Sequence, residues 1–525
     1  MSTTESFLEN RNHSPENLQR LFRHPVSKDH KAEITQYLTD TQRSYDKCQL
    51  EINKYKALIL MLESKRERIK KSMERYQSLL SPVHLLPSEL LLEVFGHLCE
   101  VNLLDHAKIP PASCLSMVCG RWREIALTSP RLWSSMSFQV DRSESRRDEV
   151  VANLTRLFLK RSRKALLKLR IQFRWHPEER YTDRMVLGLL EEQSERWEEL
   201  KVYDRETYAS SRLGGDLYLP NLKHLSFYTN TPDSPESSLP LDRFKHCPAL
   251  ASFHTDVAST EDRLELPWAN IRVLKLEDCP DVAALHVLEL CTSIEHLTVG
   301  ETYPRGRLAE DMAVRSETVR TLTINGENFE SPPVLGRITL PHLSSIIIEH
   351  AYIPHLTLEE FIQRSSCSIT SIRLDDFWLT DRQLLSLLHL MACLRTLDVG
   401  HSKLCNAVTR GFLEHLTVDP DNPRGRFLPH LTELKLEVLV KELDGQTLLN
   451  ALTSRWLPGD DLHASTVSGV DRLESVDVIL RWNGPPTPDI FSSLQCLKDV
   501  SMRVTVSHLT SERSRTIASS FPGRH

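Results

Sequence analysis

The sequence predicts an α/β protein in which one long helix, a cluster of short helices and an array of strand-containing repeats follow one another. Two observations indicate this fold class. Apolar residues fall at helical spacing through roughly the first 135 residues, and a six-residue apolar frame returns regularly through the rest. The chain has 525 residues, more than a single core usually serves, so several folded units or an extendable array are expected.

The long helix is predicted over residues 34–81, after a disordered or loosely ordered N-terminus over 1–33. No Gly or Pro falls between Ile34 and Leu80. Pro82 ends the helix, because proline lacks the amide proton and clashes with the preceding turn. An apolar heptad seam follows the helix, which permits either a coiled coil, including a weak homodimer, or packing on the chain's own next domain. The seam consists of Ile52, Tyr55, Ile59, Leu62, Ile69, Met73, Tyr76 and Leu80.

A cluster of short helices is predicted over residues 82–137. In LLPSELLLEVFGHL, Pro87 suits the first helical turn and Glu89 complements the positive end of the helix dipole. A second helical pattern lies in CLSMVCGRWREIAL, and Ser129–Pro130 can start a further short helix. A unit of about 50 residues buries itself only marginally. Its apolar surface therefore either binds a partner or caps the core of the following domain.

These residues resemble an F-box in the order and spacing of their apolar positions. The matching series is Leu86-Pro87-x-Glu89-Leu90-(x)3-Val94-Phe95-(x)2-Leu98, then Leu115-(x)2-Val118-Cys119-(x)2-Trp122-Arg123-(x)2-Ala126, then Leu132-Trp133. In the F-box family such helices dock on the small Skp-type linker subunit of cullin-based ubiquitin ligases. The resemblance implies that the docking face is formed or braced by Leu86, Pro87, Leu90, Val94, Phe95, Val118, Cys119 and Trp122.

Two features accompany this resemblance. The segment 99–113, which contains Ile109-Pro110-Pro111, is longer than in the compact form of the motif, so the placement of the second helix is open. The heptad helix directly before the box, joined to it by Ser81-Pro82-Val83, resembles the expanded F-box families of mushroom-forming fungi, in which such helices are common.

The remaining chain repeats a frame of one apolar, two variable, one apolar, one variable and one apolar residue. Clear copies start at residues 271, 294, 319, 343, 369 and 394, so 23, 25, 24, 26 and 25 residues separate them. Each frame predicts a short strand whose alternate apolar residues point into a stacked core. This period resembles that of degenerate leucine-rich repeats, which implies an arc or horseshoe over residues 150–511 with a tail over 512–525. Weaker frames lie at 166–171, 197–202, 222–227, 250–255, 431–436, 473–478 and 497–502.

Alternation along the frames also predicts which side chains line the concave face of the sheet. Their mixture of charge and imidazole suits a protein partner, but a solvated sheet face without any ligand would have the same composition. The residues predicted for this substrate face are His224, Tyr228, His254, Asp256, Lys275, Glu277, His296, Asn325, Arg373, Asp375, Asp398 and Lys435.

Composition excludes several other classes of function. A net charge of -6 provides no basic field for nucleic acid or an anionic membrane. The N-terminus lacks a secretory signal and no segment approaches a membrane span, so a cytoplasmic or nuclear location is expected. The 11 cysteines include no C-x-x-C pair, which indicates reduced thiols with neither a disulfide framework nor a metal site.

Enzyme motifs are missing as well. The chain contains no glycine-rich phosphate loop, no H-E-x-x-H and no G-x-S-x-G, so no catalytic residue and no cofactor is predicted. The leading hypothesis is an adaptor whose F-box binds the ligase while the repeat arc selects a target protein. The alternatives are a scaffold that uses the same modules without degradation, and a hydrolase hidden in the arc.

Overall fold

The computed structural model divides the chain into two compact units, residues 1–91 and 92–525. Among the described residues no helix combines the length and the apolar character needed to cross a membrane. The described residues are 28–105, 107–140, 145–173, 182–204, 217–229, 244–255, 266–277, 279–303, 312–326, 333–351, 353–400, 407–418, 427–439, 445–455, 470–482 and 503–510.

The first unit is dominated by one long helix, α1, over Lys28–Leu79. Side-chain pairs three or four residues apart support it, such as Arg43 with Asp40 and Lys70 with Glu74. A single turn of 3-10 helix over Pro82–Leu85 follows, which agrees with the stop expected at the proline. All eight residues of the heptad seam are exposed, with exposed fractions from 46% for Ile52 to 85% for Leu80.

Short helices follow, and the single helical pattern predicted over CLSMVCGRWREIAL is divided into two helices by the extended backbone of Cys119. The short helices are α2 (Ser88–Leu98), α3 (Pro111–Val118), α4 (Gly120–Thr128) and a 3-10 turn over Pro130–Trp133. Pro111 stands at the start of α3 and Pro130 at the start of the 3-10 turn, where the missing amide proton costs nothing.

The second unit contains a large parallel sheet. Fifteen described strands pair side by side, and each neighbours the next in chain order. The α/β class and the long N-terminal helix are confirmed, and the strands form a parallel sheet. The strands are β1 (Asn102–Leu104), β2 (Ser135–Val140), β3 (Leu167–Phe173), β4 (Trp197–Asp204), β5 (His224–Thr229), β6 (Ser252–Thr255), β7 (Val273–Leu276), β8 (His296–Val299), β9 (Thr321–Asn325), β10 (Ser345–Glu349), β11 (Ser371–Asp375), β12 (Thr396–Val399), β13 (Glu433–Leu439), β14 (Ser475–Trp482) and β15 (Arg503–Thr510).

The recurring frame explains the register of this sheet. In each of the six clear frames the three apolar positions are at most 2% exposed, as in Ile271, Leu274 and Leu276. Neighbouring frames pair position for position, so equivalent side chains form continuous buried rows. One such row consists of Leu274, Leu297, Leu322, Ile346, Ile372 and Leu397.

Helices lie in the connections between many of these strands. Two further pairs of very short strands join Cys279–Pro280 to Thr302–Tyr303 and Val314–Arg315 to Ile338–Thr339. The helices are α5 (Ser145–Ser162), α6 (Thr182–Glu191), α7 (Asp281–Leu290), α8 (His355–Ser365), α9 (Asp381–His389), α10 (Arg410–Leu416) and α11 (Gly445–Arg455).

Candidate functional site

Helix α2 carries two apolar stripes, each made of residues at four-residue intervals. Such residues share one face of a helix, so one stripe can enter the core while the other meets solvent. The buried stripe is Leu91, Phe95 and Cys99, each at most 3% exposed. The exposed stripe is Leu90, Val94 and Leu98, whose exposed fractions are 48%, 50% and 56%. The leucine-rich stretch thus divides between core packing and an apolar surface open to a partner.

Helix α4 is braced against the buried stripe by an aromatic contact. The ring centroids of Phe95 and Trp122 lie 4.7 Å apart at an angle of 59°. Cys119 has extended backbone at the start of α4, and its Sγ accepts a hydrogen bond from the Trp122 amide at 3.5 Å. Among the predicted docking residues, Phe95 is thus buried, Cys119 and Trp122 are half-buried, and Val118 is exposed.

The predicted docking residues in the first unit lie at the start of α2. Leu86 is half-buried and Pro87 is exposed. The Pro87 carbonyl accepts a hydrogen bond from the Leu91 amide at 3.1 Å, which closes the first turn of the helix.

The segment 99–113 contains a residue that sequence reasoning missed. Asn102 is fully buried, and its Nδ2 donates to the carbonyls of Cys99, Leu132 and Ser135 at 3.1, 3.0 and 2.9 Å. Its Oδ1 accepts from the Ala112 amide at 3.0 Å, in the first turn of α3. The same asparagine therefore fixes the end of α2, the start of α3 and the start of β2.

The extra length of this segment also contributes to the sheet. Strand β1 pairs in parallel with β2, with Asn102 opposite Met136 and Leu104 opposite Phe138. Trp133 is fully buried and donates from Nε1 to the Ala126 carbonyl at 2.7 Å. The helices after residue 92 and the first strands of the sheet therefore share one structural unit.

Trp133 also joins these helices to α5. The Phe158 ring meets it edge to face with centroids 4.9 Å apart, and the guanidinium of Arg161 lies 4.3 Å from its ring centroid. Burial lowers the pKa of Arg161, and the charge of Arg123 lowers it further.

Five of the predicted substrate-face residues come together on β5 to β9. The Tyr228 hydroxyl lies 2.9 Å from His254 Nδ1, and His254 Nε2 lies 2.9 Å from Glu277 Oε2. An ionised carboxylate only accepts, so Nε2 carries the proton and Nδ1 accepts from the phenol. Glu277 Oε1 also binds Lys275 Nζ at 2.8 Å and Asn325 Nδ2 at 3.0 Å.

Burial and hydrogen bonding determine the charges in this cluster. Burial lowers the pKa of His254 despite its bond to Glu277, and burial also raises the pKa of Tyr228. Burial opposes ionisation of Glu277, but the hydrogen bonds from His254 and Lys275 outweigh it and bring its pKa to about 2. The cluster is thus a neutral imidazole and phenol beside a carboxylate that stays ionised.

A second cluster includes four further predicted residues. Lys435 Nζ and Arg373 Nε lie 3.1 and 3.7 Å from Asp398 Oδ2, and Arg373 Nη2 lies 3.9 Å from Asp375 Oδ2. His224 and His296 are exposed and join neither cluster, and Asp256 lies outside the described residues. No group of three or more His, Cys, Asp or Glu side chains within the described ranges could hold a metal ion.

Sequence reasoning also missed two residues that extend the first cluster. Tyr203 on β4 stacks on Tyr228, with ring centroids 4.5 Å apart and planes 4° from parallel. The guanidinium of Arg170 on β3 lies 5.7 Å from the Tyr203 ring centroid. Arg170 stands at an alternate position of the weaker frame at 166–171, and Tyr203 continues the alternation one residue beyond the frame at 197–202, so alternation was the signal that could have found them.

Comparison with known proteins adds one match. No curated protein matches the chain. The F-box-like family profile matches residues 83–139, a range that includes most of the docking helices described above. F-box proteins are generally adaptors rather than enzymes, and the match suggests an SCF-type adaptor role with binding to a Skp-type subunit. The chain therefore contains an F-box-like domain at residues 83–139, as the resemblance in its sequence predicts.

Proposed function

We propose that the protein is the substrate-recognition adaptor of a cullin-based ubiquitin ligase of the SCF type. The F-box-like domain docks on the Skp-type linker subunit, and the parallel sheet binds the target protein. The observation that carries the proposal is the F-box-like match together with apolar side chains left exposed within it. A cytoplasmic or nuclear location and the absence of intrinsic catalysis belong to the same proposal.

The docking surface is proposed to include the exposed apolar side chains of α2 and α3. Val94, Leu98, Met117 and Val118 are each at least half exposed. Full burial of a completely exposed side chain of this kind contributes about 1.5 to 3 kcal/mol, so each of these half-exposed side chains contributes about half of that when a partner covers it. Phe95, Cys119 and Trp122 would support this surface from beneath rather than meet the partner themselves.

The repeat array is proposed to be a degenerate leucine-rich-repeat solenoid that presents the target. Support comes from the regular spacing of the frames and from strands that pair in chain order. The adaptor would act by proximity, because holding a target lysine near a charged carrier raises its effective concentration without new catalytic groups. The likeness to fungal F-box families, which rests on the heptad helix, is part of this proposal.

Capture of a purified Skp-type linker subunit tests the docking step. The variant Val94→Asp/Leu98→Asp places two charges on exposed positions of α2, so it should fold and lose at least about tenfold in affinity. Leu356→Asp is the matched control, because Leu356 is 58% exposed on α8, outside the F-box-like match. Equal capture of the linker by both variants would show that the stripe does not form the docking face.

The competing function is a scaffold that binds the same partners without degradation. The two functions differ in the fate of a captured target. An adaptor predicts that the target is ubiquitinated by the wild-type chain and not by Val94→Asp/Leu98→Asp, although both still bind it. A target that is bound by both chains and modified by neither favours the scaffold.

A further inference from the structure

A cleft of about 850 Å³ lies within the second unit, between the end of α2, the 3-10 turn and the beginnings of β2 to β4. Its size is within the range of ligand-binding clefts. Basic side chains dominate its charged lining, with five cations against three carboxylates, in a chain whose net charge is -6. The cations are Arg131, Lys164, Lys168, Arg170 and Lys201.

Two of the three carboxylates already pair with lysines. Glu199 lies 2.6 Å from Lys201 Nζ and 3.9 Å from Lys168 Nζ. Burial alone would raise the pKa of Glu199, but the hydrogen bond and charge of Lys201 outweigh burial and lower it. Glu198 lies 2.9 Å from Lys223 Nζ, which stands outside the cleft lining.

Among the described residues, two cations of the cleft have no carboxylate partner. Glu100 Oε1 lies 3.2 Å from His97 Nδ1. Within the ranges that the structure describes, no carboxylate pairs with Arg131 or Lys164, and both are exposed. Two lining cations are therefore available to an anionic partner without breaking an existing ion pair.

The cleft continues into the aromatic part of the sheet face. Arg170 lines the cleft and also stacks on Tyr203, which stacks on Tyr228. Arginine and tyrosine are enriched where protein partners contribute most binding energy, because they combine large contact area with polar groups. A partner segment lying in the cleft could continue over these two rings.

We propose that this cleft binds an extended acidic segment of the target protein, with its carboxylates on Arg131 and Lys164. This inference rests on the proposed function, since it states the chemistry of the target segment. A peptide fits better than a nucleic acid, because the three glutamates in the cleft lining would repel a continuous phosphate backbone while a peptide can place its carboxylates selectively.

Fluorescence anisotropy on the full chain tests the cleft. The probe is a short labelled peptide that alternates glutamate with serine, and its comparison peptide carries glutamine at each glutamate. Arg131→Glu/Lys164→Glu should weaken acidic-peptide binding about tenfold or more, because two attractions become repulsions. Arg320→Glu/Arg382→Glu is the matched control, with the same charge change at exposed arginines outside the cleft, and should stay within about twofold.

Other outcomes would overturn the proposal. Equal weakening by the cleft and control variants would show a non-specific charge effect. Equal binding of the glutamine peptide and the glutamate peptide would show that the cleft does not recognise carboxylates. Tighter binding of a single-stranded oligonucleotide through the same residues would assign the cleft to nucleic acid.

Two further measurements distinguish a loss of peptide binding from unfolding of the variant and from a loss of linker docking. Circular dichroism verifies the folding of the charge-reversed chain, and the milder Arg131→Gln/Lys164→Gln replaces it if it unfolds. Linker capture is measured in parallel. A chain that binds the acidic peptide but captures no linker subunit would refute the proposed function and leave the cleft proposal standing.

Discussion

Replacement of Asn102 should loosen the junction between the short helices and the sheet. Asn102→Ala removes three hydrogen bonds to carbonyls and leaves the Ala112 amide without its acceptor. That amide lies in the first turn of α3, and the residue before the helix, Pro110, provides no side-chain cap. The substitution therefore removes a helix cap that is supplied from ten residues away.

The magnitude follows from the burial of this site. An orphaned buried amide costs about 1 to 3 kcal/mol, and each lost hydrogen bond to a carbonyl costs about 0.5 to 1.5 kcal/mol. The carbonyls can accept other hydrogen bonds through a second lone pair, and the surrounding structure can partly relax. We therefore expect Asn102→Ala to lower the local stability by about 3 to 5 kcal/mol in total. Asn102→Asp should cost at least as much, because it keeps the shape but turns an oxygen toward three carbonyl oxygens.

Amide hydrogen exchange measures this effect where it occurs. A local loss of about 3 kcal/mol corresponds to exchange roughly 150-fold faster in peptides covering β1 and the start of β2. Asn221→Ala is the control, since its Nδ2 makes one exposed hydrogen bond, at 2.7 Å to the Glu195 carbonyl. If Asn102→Ala accelerates exchange no more than this control does, the four hydrogen bonds do not hold the junction and the reasoning is wrong.

Two further predictions concern pH and self-association. Lowering the pH should destabilise the fold, because the unfolded chain takes up protons at His254 near its ordinary pKa of 6.5, and at Glu277 near 4.5, before the folded chain does. Between about pH 7 and about pH 4, a carboxyl whose pKa falls from 4.5 to about 2 on folding loses only about 1 kcal/mol of its contribution to stability. The free energy of unfolding obtained from urea titrations should therefore fall by on the order of 1 kcal/mol less for Glu277→Gln than for the wild type; equal losses in the two chains would contradict this. If α1 forms a weak homodimer, Ile59→Asp on the seam should shift sedimentation toward monomer and Leu60→Asp should not, whereas a wild-type monomer at high concentration would exclude the dimer.

The repeating strands could be predicted because their cause is local and periodic. Each frame places apolar residues on one face of a strand, and the core forms when the apolar faces of neighbouring strands pack side by side. The weaker frame at 431–436 follows the same rule, with Leu431, Leu434 and Leu436 at most 2% exposed despite the long connection before it. Regular spacing therefore predicts the buried rows even where the intervals vary.

Asn102 could not be predicted, because nothing in its neighbourhood indicates its partners. Its hydrogen bonds reach residues 3, 10, 30 and 33 positions away in the chain. An asparagine in a polar connecting segment ordinarily indicates a turn. Only the three-dimensional approach of α3 and β2 makes it a buried link.

The burial of Arg455 could not be predicted from the sequence either. Arg455 ends α11 and is 1% exposed, and its guanidinium donates to the carbonyls of Leu416 at 2.6 Å, Leu428 at 2.9 Å and Phe427. Burial lowers its pKa to about 10. A basic residue in the last helical turn is usually exposed to solvent and complements the helix dipole. The residue type and its position therefore predict an exposed side chain, whereas Arg455 is buried.

The substrate face was predictable in part for a physical reason. Tyr228 and His254 lie on β5 and β6 and Glu277 directly follows β7, and parallel register brings outward side chains of neighbouring strands within reach of one another. Alternation therefore found the cluster. The hydrogen bond from phenol to imidazole and the stacking on Tyr203 depend on rotamers, which periodicity does not contain.

The shared core of the short helices and the sheet bears on how an adaptor of this kind would work. Proximity raises effective concentration only when the connection between two binding sites restricts their separation. Among the described residues after position 92, the F-box-like helices and the first strands pack directly on one another. Strand β1 lies in the segment between α2 and α3, and Trp133 joins α4 to α5. A target segment held in the basic cleft beside these strands would therefore lie at a fixed distance from Val94, Leu98 and Val118. Loosening the junction through Asn102→Ala should then reduce ubiquitin transfer more than it reduces binding of either partner.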